Sequence, residues 1–240
     1  MKQLTNILFI DIETVSIQAE HSQLSDVMKE QWARKAVIYQ SRKETVTDVV
    51  QLFEEKAAIF AEFGKVVCIG LGCFMQEKNE TKFVMKYFVD HDEKSLLYKF
   101  LEALERYSSI HTSLSFCGHN IKEFDLPYLC RRMMIHGIEL PKALQLHGIK
   151  PWENPHIDTL ELWRFGDFKH YISLALLAEV LGIPSPKDDI DGSMVSGVYW
   201  NQKDLNRIGN YCLKDVSTTA KIYIKLKCID FNDYEIEVLD

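Results

Sequence analysis

Runs of apolar residues along the chain predict the order of its strands and helices. Mainly apolar runs favour strands at 6–12, 65–75, 81–89 and 113–119. Apolar residues at helical spacing predict helices over 90–107, 123–137, 171–183 and 201–226. The segment "HIDTLELW" is compatible with a fifth strand or a short helix. This alternation predicts an α/β fold in which helices flank a mixed β-sheet.

A polar, helix-prone stretch, 16–64, separates the first two predicted strands. We interpret it as a helical insertion over one edge of the sheet, and the sequence leaves its role open. No internal repeat, low-complexity segment or interdomain linker interrupts the chain. We therefore predict one domain over 1–240.

Composition narrows the class of protein. Of 240 residues, 47% are hydrophobic and 26% are charged, which is typical of a globular protein rather than a disordered one. The sequence shows no secretory signal, and its longest nearly apolar run, 66–75, is too short to span a bilayer. Six cysteines without a C-x-x-C pair favour reduced thiols, so we predict a cytoplasmic protein with no membrane partner.

The net charge of −7 argues against a protein that coats nucleic acid through a broad basic surface. It does not exclude an enzyme that meets nucleic acid through bound metal ions. Cations at an acidic site would remove the repulsion between that site and phosphate.

Two acids stand in an apolar run near the start of the chain, "ILFIDIET". On a strand, Asp11 and Glu13 share one face, while Ile10 and Ile12 face the core on the other. Neighbouring carboxylates repel, so such a pair favours either a bound cation or a retained proton. Taken alone, a D-x-E pair is more often a solvated face.

Two later segments add further candidates. Asp125 follows an apolar strand at the start of a predicted helix, where it could cap that helix or serve function. Tyr211 and Asp215 are four residues apart and so share one helix face. If this pair is considered alone, the favoured interpretation is an ordinary tyrosine at the edge of the core and a solvated aspartate.

Considered together, the four acids and the tyrosine indicate a metal site. Clustered carboxylates suit hard, oxygen-preferring cations such as Mg²⁺ or Mn²⁺. Two such ions can promote in-line displacement at phosphorus. We therefore predict two divalent metal ions as cofactors.

Three segments, "FIDIET", "GHNIKEFDLPYL" and "YCLKD", resemble the three exonuclease motifs of the DEDD superfamily. The resemblance implies a ribonuclease H-like (DnaQ-like exonuclease) fold and removal of nucleotides from 3′ ends. The middle segment most resembles the proofreading exonuclease domain of family B DNA polymerases. The resemblance covers residues 5 to about 226, and we interpret the chain as a stand-alone relative of that domain.

The resemblance also implies roles for the matching residues. Asp11, Glu13 and Asp215 would ligate the metal that activates water. Asp11 would also bridge to the second metal, and Asp125 would act near that second metal. Tyr211 would orient the attacking water.

The superfamily divides at this last position, with tyrosine four residues before the final aspartate or histidine five before it. Here these positions hold Tyr211 and Asn210, which implies the tyrosine subclass, DEDDy.

Other residues are secondary candidates. Asn120 and Phe124 could contact the terminal nucleotide, or could equally pack near a turn. Asp158 could lie near the site, although helix capping is favoured. Weaker candidates for phosphate contacts are the basic residues Arg131, Arg132 and Lys187.

The leading hypothesis is a metal-dependent 3′–5′ exonuclease that acts on single-stranded DNA 3′ ends and releases nucleoside monophosphates. An RNA 3′-end-trimming enzyme of the same fold is the alternative, since discrimination depends on how the pocket treats the 2′-hydroxyl. The fold is also compatible with a catalytically silent nucleic-acid-binding module or with a hydrolase of small phosphoesters. Protein partners and oligomeric state stay open.

Overall fold

The structure, a computed structural model, describes residues 4–41, 46–77, 80–111, 113–184, 189–230 and 234–239. A mixed six-stranded sheet lies at its centre, with the strand order β5-β4-β1-β2-β3-β6. The strands are β1 (Ile7–Ser16), β2 (Gly64–Glu77), β3 (Glu80–Val89), β4 (Ser115–Gly118), β5 (Ile157–Asp158) and β6 (Glu235–Val238). β1, β2 and β3 are antiparallel neighbours, while β4 runs parallel to β1, β5 to β4, and β6 to β3.

Helices cover both faces of this sheet. They are α1 (Asp26–Gln40), α2 (Val49–Lys56), α3 (Glu93–Ile110), α4 (Asp125–Ile135), α5 (Thr159–Arg164), α6 (Leu174–Val180), α7 (Val195–Gly197) and α8 (Leu205–Leu226). A π-helical turn, Val198–Gln202, precedes α8. Within the described ranges, no helix is both long and apolar enough to cross a membrane.

The predicted α/β architecture is confirmed, and the differences lie at element ends and in one additional strand. "HIDTLELW" forms both of its predicted alternatives, β5 and then α5. The helix predicted over 171–183 is shorter, because the Ser173 side chain caps its start by accepting from the Leu176 amide. The sixth strand, β6, was not predicted, since two glutamates in four residues leave no apolar run.

β1 is buried on both faces. Leu8, Ile10 and Ile12 pack into the core beneath α3 and α4. Ile7 and Phe9 pack on the opposite face, against α8. Because side chains alternate along a strand, the acids of β1 lie opposite Ile10 and Ile12, as predicted, and this face is the one toward α8.

Two glycines on β2 allow α8 to lie close to the sheet. A Cβ at Gly70 would stand 2.7 Å from the Cys212 Sγ, and one at Gly72 would stand 2.8 Å from the Val216 Cγ1. Gly70 is also the β2 residue directly opposite Asp11. The close approach therefore brings the middle of α8 over the acids of β1.

The stretch between β1 and β2 forms a small helical core of its own around Trp32. The buried Trp32 ring makes edge-on contacts with Phe53 and Phe63, at centroid distances of 5.3 and 5.1 Å. Its indole N–H donates to the Val49 carbonyl at 2.9 Å. The Ile17 amide donates to the Phe63 carbonyl at 2.8 Å, which ties this helical stretch to the end of β1.

A buried ion pair joins α3 to α4. The Arg132 guanidinium donates from Nε to Glu93 at 2.8 Å and from Nη1 to the Ala61 carbonyl at 2.8 Å. Glu93 also accepts from the Val66 amide at 2.7 Å and from His136 at 2.7 Å. Arg132 is 3% exposed, so its prediction as a phosphate contact is wrong.

Candidate active site

The two acids of β1 converge with a thiol of α8. Asp11 is half-buried and Glu13 is 9% exposed. One ligand atom from each of Asp11, Glu13 and Cys212 lies within 4.8 Å of the others. A register shift between β1 and β2 follows Glu13 directly, and such bulges re-aim side chains.

Asp125 reaches the same place from α4. β4 pairs with β1 only over Ile7–Phe9, so the Ile12 amide lies beyond the end of that pairing. The Asp125 Oδ1 accepts from this amide at 3.1 Å, and the side chain is buried. Asp125 is the first residue of α4 rather than its cap, which is Phe124. Its carboxylate is thus directed toward β1.

Tyr211 and Asp215 enter from α8, and both are half-buried. The Asp215 carboxylate, one turn further along α8, interacts with the Tyr211 hydroxyl. Burial, followed by the charges of Asp215, Glu13 and Asp11, raises the pKa of Tyr211 well above its ordinary value. The tyrosine therefore keeps its proton and remains a donor at neutral pH.

The carboxylates raise one another's pKa values. Burial, then the charges of Glu13, Asp125 and Asp215, raises the pKa of Asp11 well above its ordinary value. Burial, then Asp215 and Asp125, does the same to the pKa of Glu13. Burial raises the pKa of Asp125 to about 7 even though the hydrogen bond from the Ile12 amide lowers it. These carboxyl groups are shielded from water and repel one another when charged, and a bound cation would offset that repulsion. Oxygen donors of this kind fit a site for hard divalent cations.

Asp158 supports the segment that leads into Asp125. Its Oδ1 accepts from the Leu160 amide at 2.9 Å, which confirms the predicted helix cap, on α5. The same carboxylate accepts from the amides of Asn120 at 2.9 Å and Lys122 at 3.1 Å. Asp158 therefore holds the turn between β4 and α4.

Asn120 and Phe124 occupy this turn. Asn120 has a left-handed backbone, with φ 64°, a conformation that asparagine tolerates. Phe124 is half-buried, and its ring centroid lies 5.4 Å from that of Tyr128. The predicted contact of both residues with a terminal nucleotide stays a prediction.

Cys212 is a contact that the sequence did not single out. Its thiol lies 3.3 Å from the Asp11 Oδ2 and 3.4 Å from the Asp11 carbonyl oxygen, to which it donates. The signal was its position beside Tyr211 in "YCLKD", but it also fits the apolar period of α8. Among the weaker basic candidates, Arg131 is exposed on α4, and Lys187 lies outside the described residues.

Comparison with known proteins identifies the family. Residues 56–234 match a family described as predicted 3′–5′ exonucleases related to the exonuclease domain of PolB. The chain belongs to this PolB-related exonuclease family. The matched residues include Asp125, Tyr211 and Asp215, while Asp11 and Glu13 precede them.

A solved structure supports the fold of this family member. The family B DNA polymerase of the hyperthermophilic archaeon Pyrobaculum calidifontis is similar over 92% of this chain, with a TM-score of 0.56 and 18% identity. The likeness covers 24% of the polymerase, so the chain spans about a quarter of its length. At this identity the likeness shows the fold, which is ribonuclease H-like as predicted.

Two further comparisons add nothing to the assignment. The yeast NOT1 MIF4G domain co-crystallised with CAF1 gives a TM-score of 0.43 at 14% identity, over 97% of this chain and 84% of that one. This likeness is too low to carry an argument. Among curated protein sequences, none matches the chain.

Proposed function

We propose that the protein is a metal-dependent 3′–5′ exonuclease of the tyrosine subclass that removes nucleoside monophosphates from single-stranded DNA 3′ ends. The observation that carries this proposal is the convergence of three separate chain segments on one acidic cluster. That cluster contains Asp11, Glu13, Asp125, Tyr211 and Asp215. Membership of the PolB-related exonuclease family supports the direction of cleavage.

The four acids would hold two divalent ions, Mg²⁺ or Mn²⁺. Their carboxylates, buried at Glu13 and Asp125 and half-buried at Asp11 and Asp215, suit hard cations, and mutual repulsion gives a reason for cations to bind. When bound, such ions would supply Lewis-acid activation of water and neutralise charge at the phosphate. Asp11, Glu13 and Asp215 would hold one ion, and Asp11 and Asp125 would contribute to holding the second.

The remaining groups of the site would orient the attacking water and hold the acids in place. The Tyr211 hydroxyl, kept protonated, would position the attacking water beside Asp215. The Cys212 thiol restrains the Asp11 carboxylate, and the Ile12 amide restrains Asp125. These restraints fix the acids before a substrate arrives, which lowers the cost of ordering the site.

The substrate end would lie against the turn between β4 and α4. The half-buried Phe124 ring leaves part of its surface for a base, and Asn120 offers an amide for hydrogen bonding. We propose that 1–240 act as one exonuclease domain. The six cysteines, all free thiols, support a cytoplasmic location.

Digestion of matched 5′-labelled DNA and RNA oligomers, with Mg²⁺, with Mn²⁺ and with chelator, tests the proposal. Wild-type protein should give a metal-dependent ladder that shortens from the 3′ end, and faster loss of DNA. Asp11→Ala should abolish the ladder. Asp26→Ala, which removes an exposed carboxylate on α1, is the matched control and should leave the ladder unchanged.

The possible outcomes separate the hypotheses. Faster loss of RNA would replace the DNA assignment with RNA trimming. Intact oligomers in every lane, with binding retained, would replace catalysis with a nucleic-acid-binding module. A ladder that persists in Asp11→Ala would contradict the proposed site.

A further inference from the structure

The loop between α5 and α6, residues 165–171, exposes three aromatic rings. Phe165 is 91% exposed, Phe168 82% and Tyr171 65%. Exposed rings gain little from folding, and three of them within seven residues form an unusual patch for a free surface. We call Phe165, Phe168 and Tyr171 the aromatic loop.

The backbone conformation at Phe165 indicates that this exposed ring does not serve to stabilise the fold. Phe165 follows the last residue of α5 with φ 46° and ψ 35°, in the left-handed region. Glycine is preferred at this position because a side chain there is strained. A phenylalanine that is both strained and exposed gains nothing from the fold in return, which points to a surface role.

The loop holds its shape without help from the rings. The Asp167 amide donates to the Arg164 carbonyl at 2.8 Å, and the His170 amide donates to the Asp167 carbonyl at 3.1 Å. The Arg164 Nε donates to the His170 carbonyl at 2.7 Å. The rings are therefore presented from a backbone that main-chain and arginine contacts define.

Both ends of the loop are bonded to the turn that leads into Asp125. At one end, the Arg164 Nη1 lies 3.3 Å from a carboxylate oxygen of Glu123. At the other, the His119 Nε2 donates to the Ile172 carbonyl at 2.9 Å. The aromatic loop therefore borders the surface on which the substrate end would lie.

The charges of the loop suit a phosphate backbone. Lys169 and His170 are exposed between the rings. Asp167 is the acid within the loop, and its carboxylate accepts from the Lys169 amide at 3.2 Å. Aromatic rings interleaved with cations form the usual surface for single strands, because every base has a face that can stack.

We propose that Phe165, Phe168 and Tyr171 form a stacking platform for bases of a single-stranded nucleic acid on the 5′ side of the terminal nucleotide. This inference rests on the proposed function, since it extends the same substrate path. Bases stack on the rings, while Lys169 lies where it can meet phosphate.

Affinity measured by fluorescence anisotropy tests the platform. The probes are 5′-labelled oligothymidylate and oligouridylate of about 12 nucleotides, with the matching dinucleotides for comparison. Phe165→Gly and Phe168→Ala should each weaken binding of the longer oligomer by about 10-fold. Binding of the dinucleotide, which is too short to span from the acidic cluster to the aromatic loop, should be unchanged.

Two controls separate recognition from folding. Phe165→Gly relieves the left-handed strain, so its melting temperature should equal or exceed that of the wild type. Trp152→Ala removes a ring that is 78% exposed, in a turn that precedes β5 rather than following α5, and it should bind like the wild type.

Unchanged affinity in both loop variants, or a wild-type protein that does not bind the longer oligomer, would overturn the platform. A 3′-shortening ladder with unchanged affinity would leave the exonuclease proposal intact. Loop-dependent binding without any ladder would leave the platform intact and contradict the exonuclease proposal. The two proposals can therefore fail separately.

Discussion

The Asp125 carboxylate accepts a hydrogen bond from the amide of Ile12, the residue that separates Asp11 from Glu13. This bond joins chain segments 113 residues apart at the level of the backbone. It can form because β4 stops pairing with β1 after Phe9. The fourth acid is consequently placed by the geometry of the sheet.

Replacing a single acid should abolish activity without unfolding the protein. Asp215→Ala should lower turnover by more than about 100-fold, since even partners outside the metal's own shell are worth 10- to 100-fold. The metal-free variant should melt at or above the wild-type temperature, because one repelling charge is gone. Steady-state kinetics and thermal melts measure both. A variant that unfolds would mark Asp215 as structural.

The contribution of Asp125 to the stability of the metal-free protein should fall as pH rises from about 4 to about 7. The pKa of Asp125 rises to about 7 on folding, from about 4 in the unfolded chain. The folded state then binds more protons at Asp125. The stability that this group contributes is therefore fully present below its unfolded pKa and is lost as pH rises through its folded pKa.

Thermal melts in chelator measure this loss, with Asp125→Asn as the reference that lacks the titrating group. The wild-type melting temperature, relative to that reference, should be lower at about pH 8 than at about pH 5. Excess Mg²⁺ at the higher pH should restore it, because ligands that bind the folded state stabilise it. A wild-type melting temperature that rises relative to the reference as pH increases in chelator would contradict the pKa shift.

Tyr211→Phe should slow hydrolysis while leaving metal binding unchanged. Only the hydroxyl that would orient water is removed, and a misplaced reactant costs about 100-fold in rate. Turnover and the metal concentration for half-maximal activity give the two readouts. Tyr87→Phe, which removes a hydroxyl bonded to Asn206 at the start of α8, is the control and should retain full turnover.

Arg132→Met should destabilise the fold, while Arg131→Ala should not. Arg132 is buried against Glu93, and removing one partner of a buried ion pair costs about 3–5 kcal/mol. Its neighbour Arg131 is exposed. Denaturant unfolding of both variants measures the difference. Equal stability of the two would show that the ion pair is dispensable.

Local periodicity was enough to predict the α/β architecture and the faces of β1. Apolar spacing also separated the helices, although caps such as Ser173 set their ends. β6 escaped prediction because its strand character comes from pairing with β3 and not from its own composition.

The acidic cluster was predicted from its acids considered together and from the resemblance of their segments to three exonuclease motifs. Contacts between residues far apart in the chain could not be predicted from the sequence. Arg131 and Arg132 look alike in sequence, and the partner that buries Arg132 is Glu93, 39 residues away. The Cys212 contact with Asp11 depends on how closely α8 approaches β2, which only the packed structure fixes.

The central position of β1 in the sheet also determines how the active site loses its structure when the protein unfolds. At Leu8 and Phe9 this strand is paired with neighbours on both sides, and it is buried in two cores, so local opening cannot release this part. Amide hydrogens of Leu8 and Phe9 should therefore exchange with solvent only when the whole sheet unfolds. Heat inactivation should then coincide with global melting instead of preceding it.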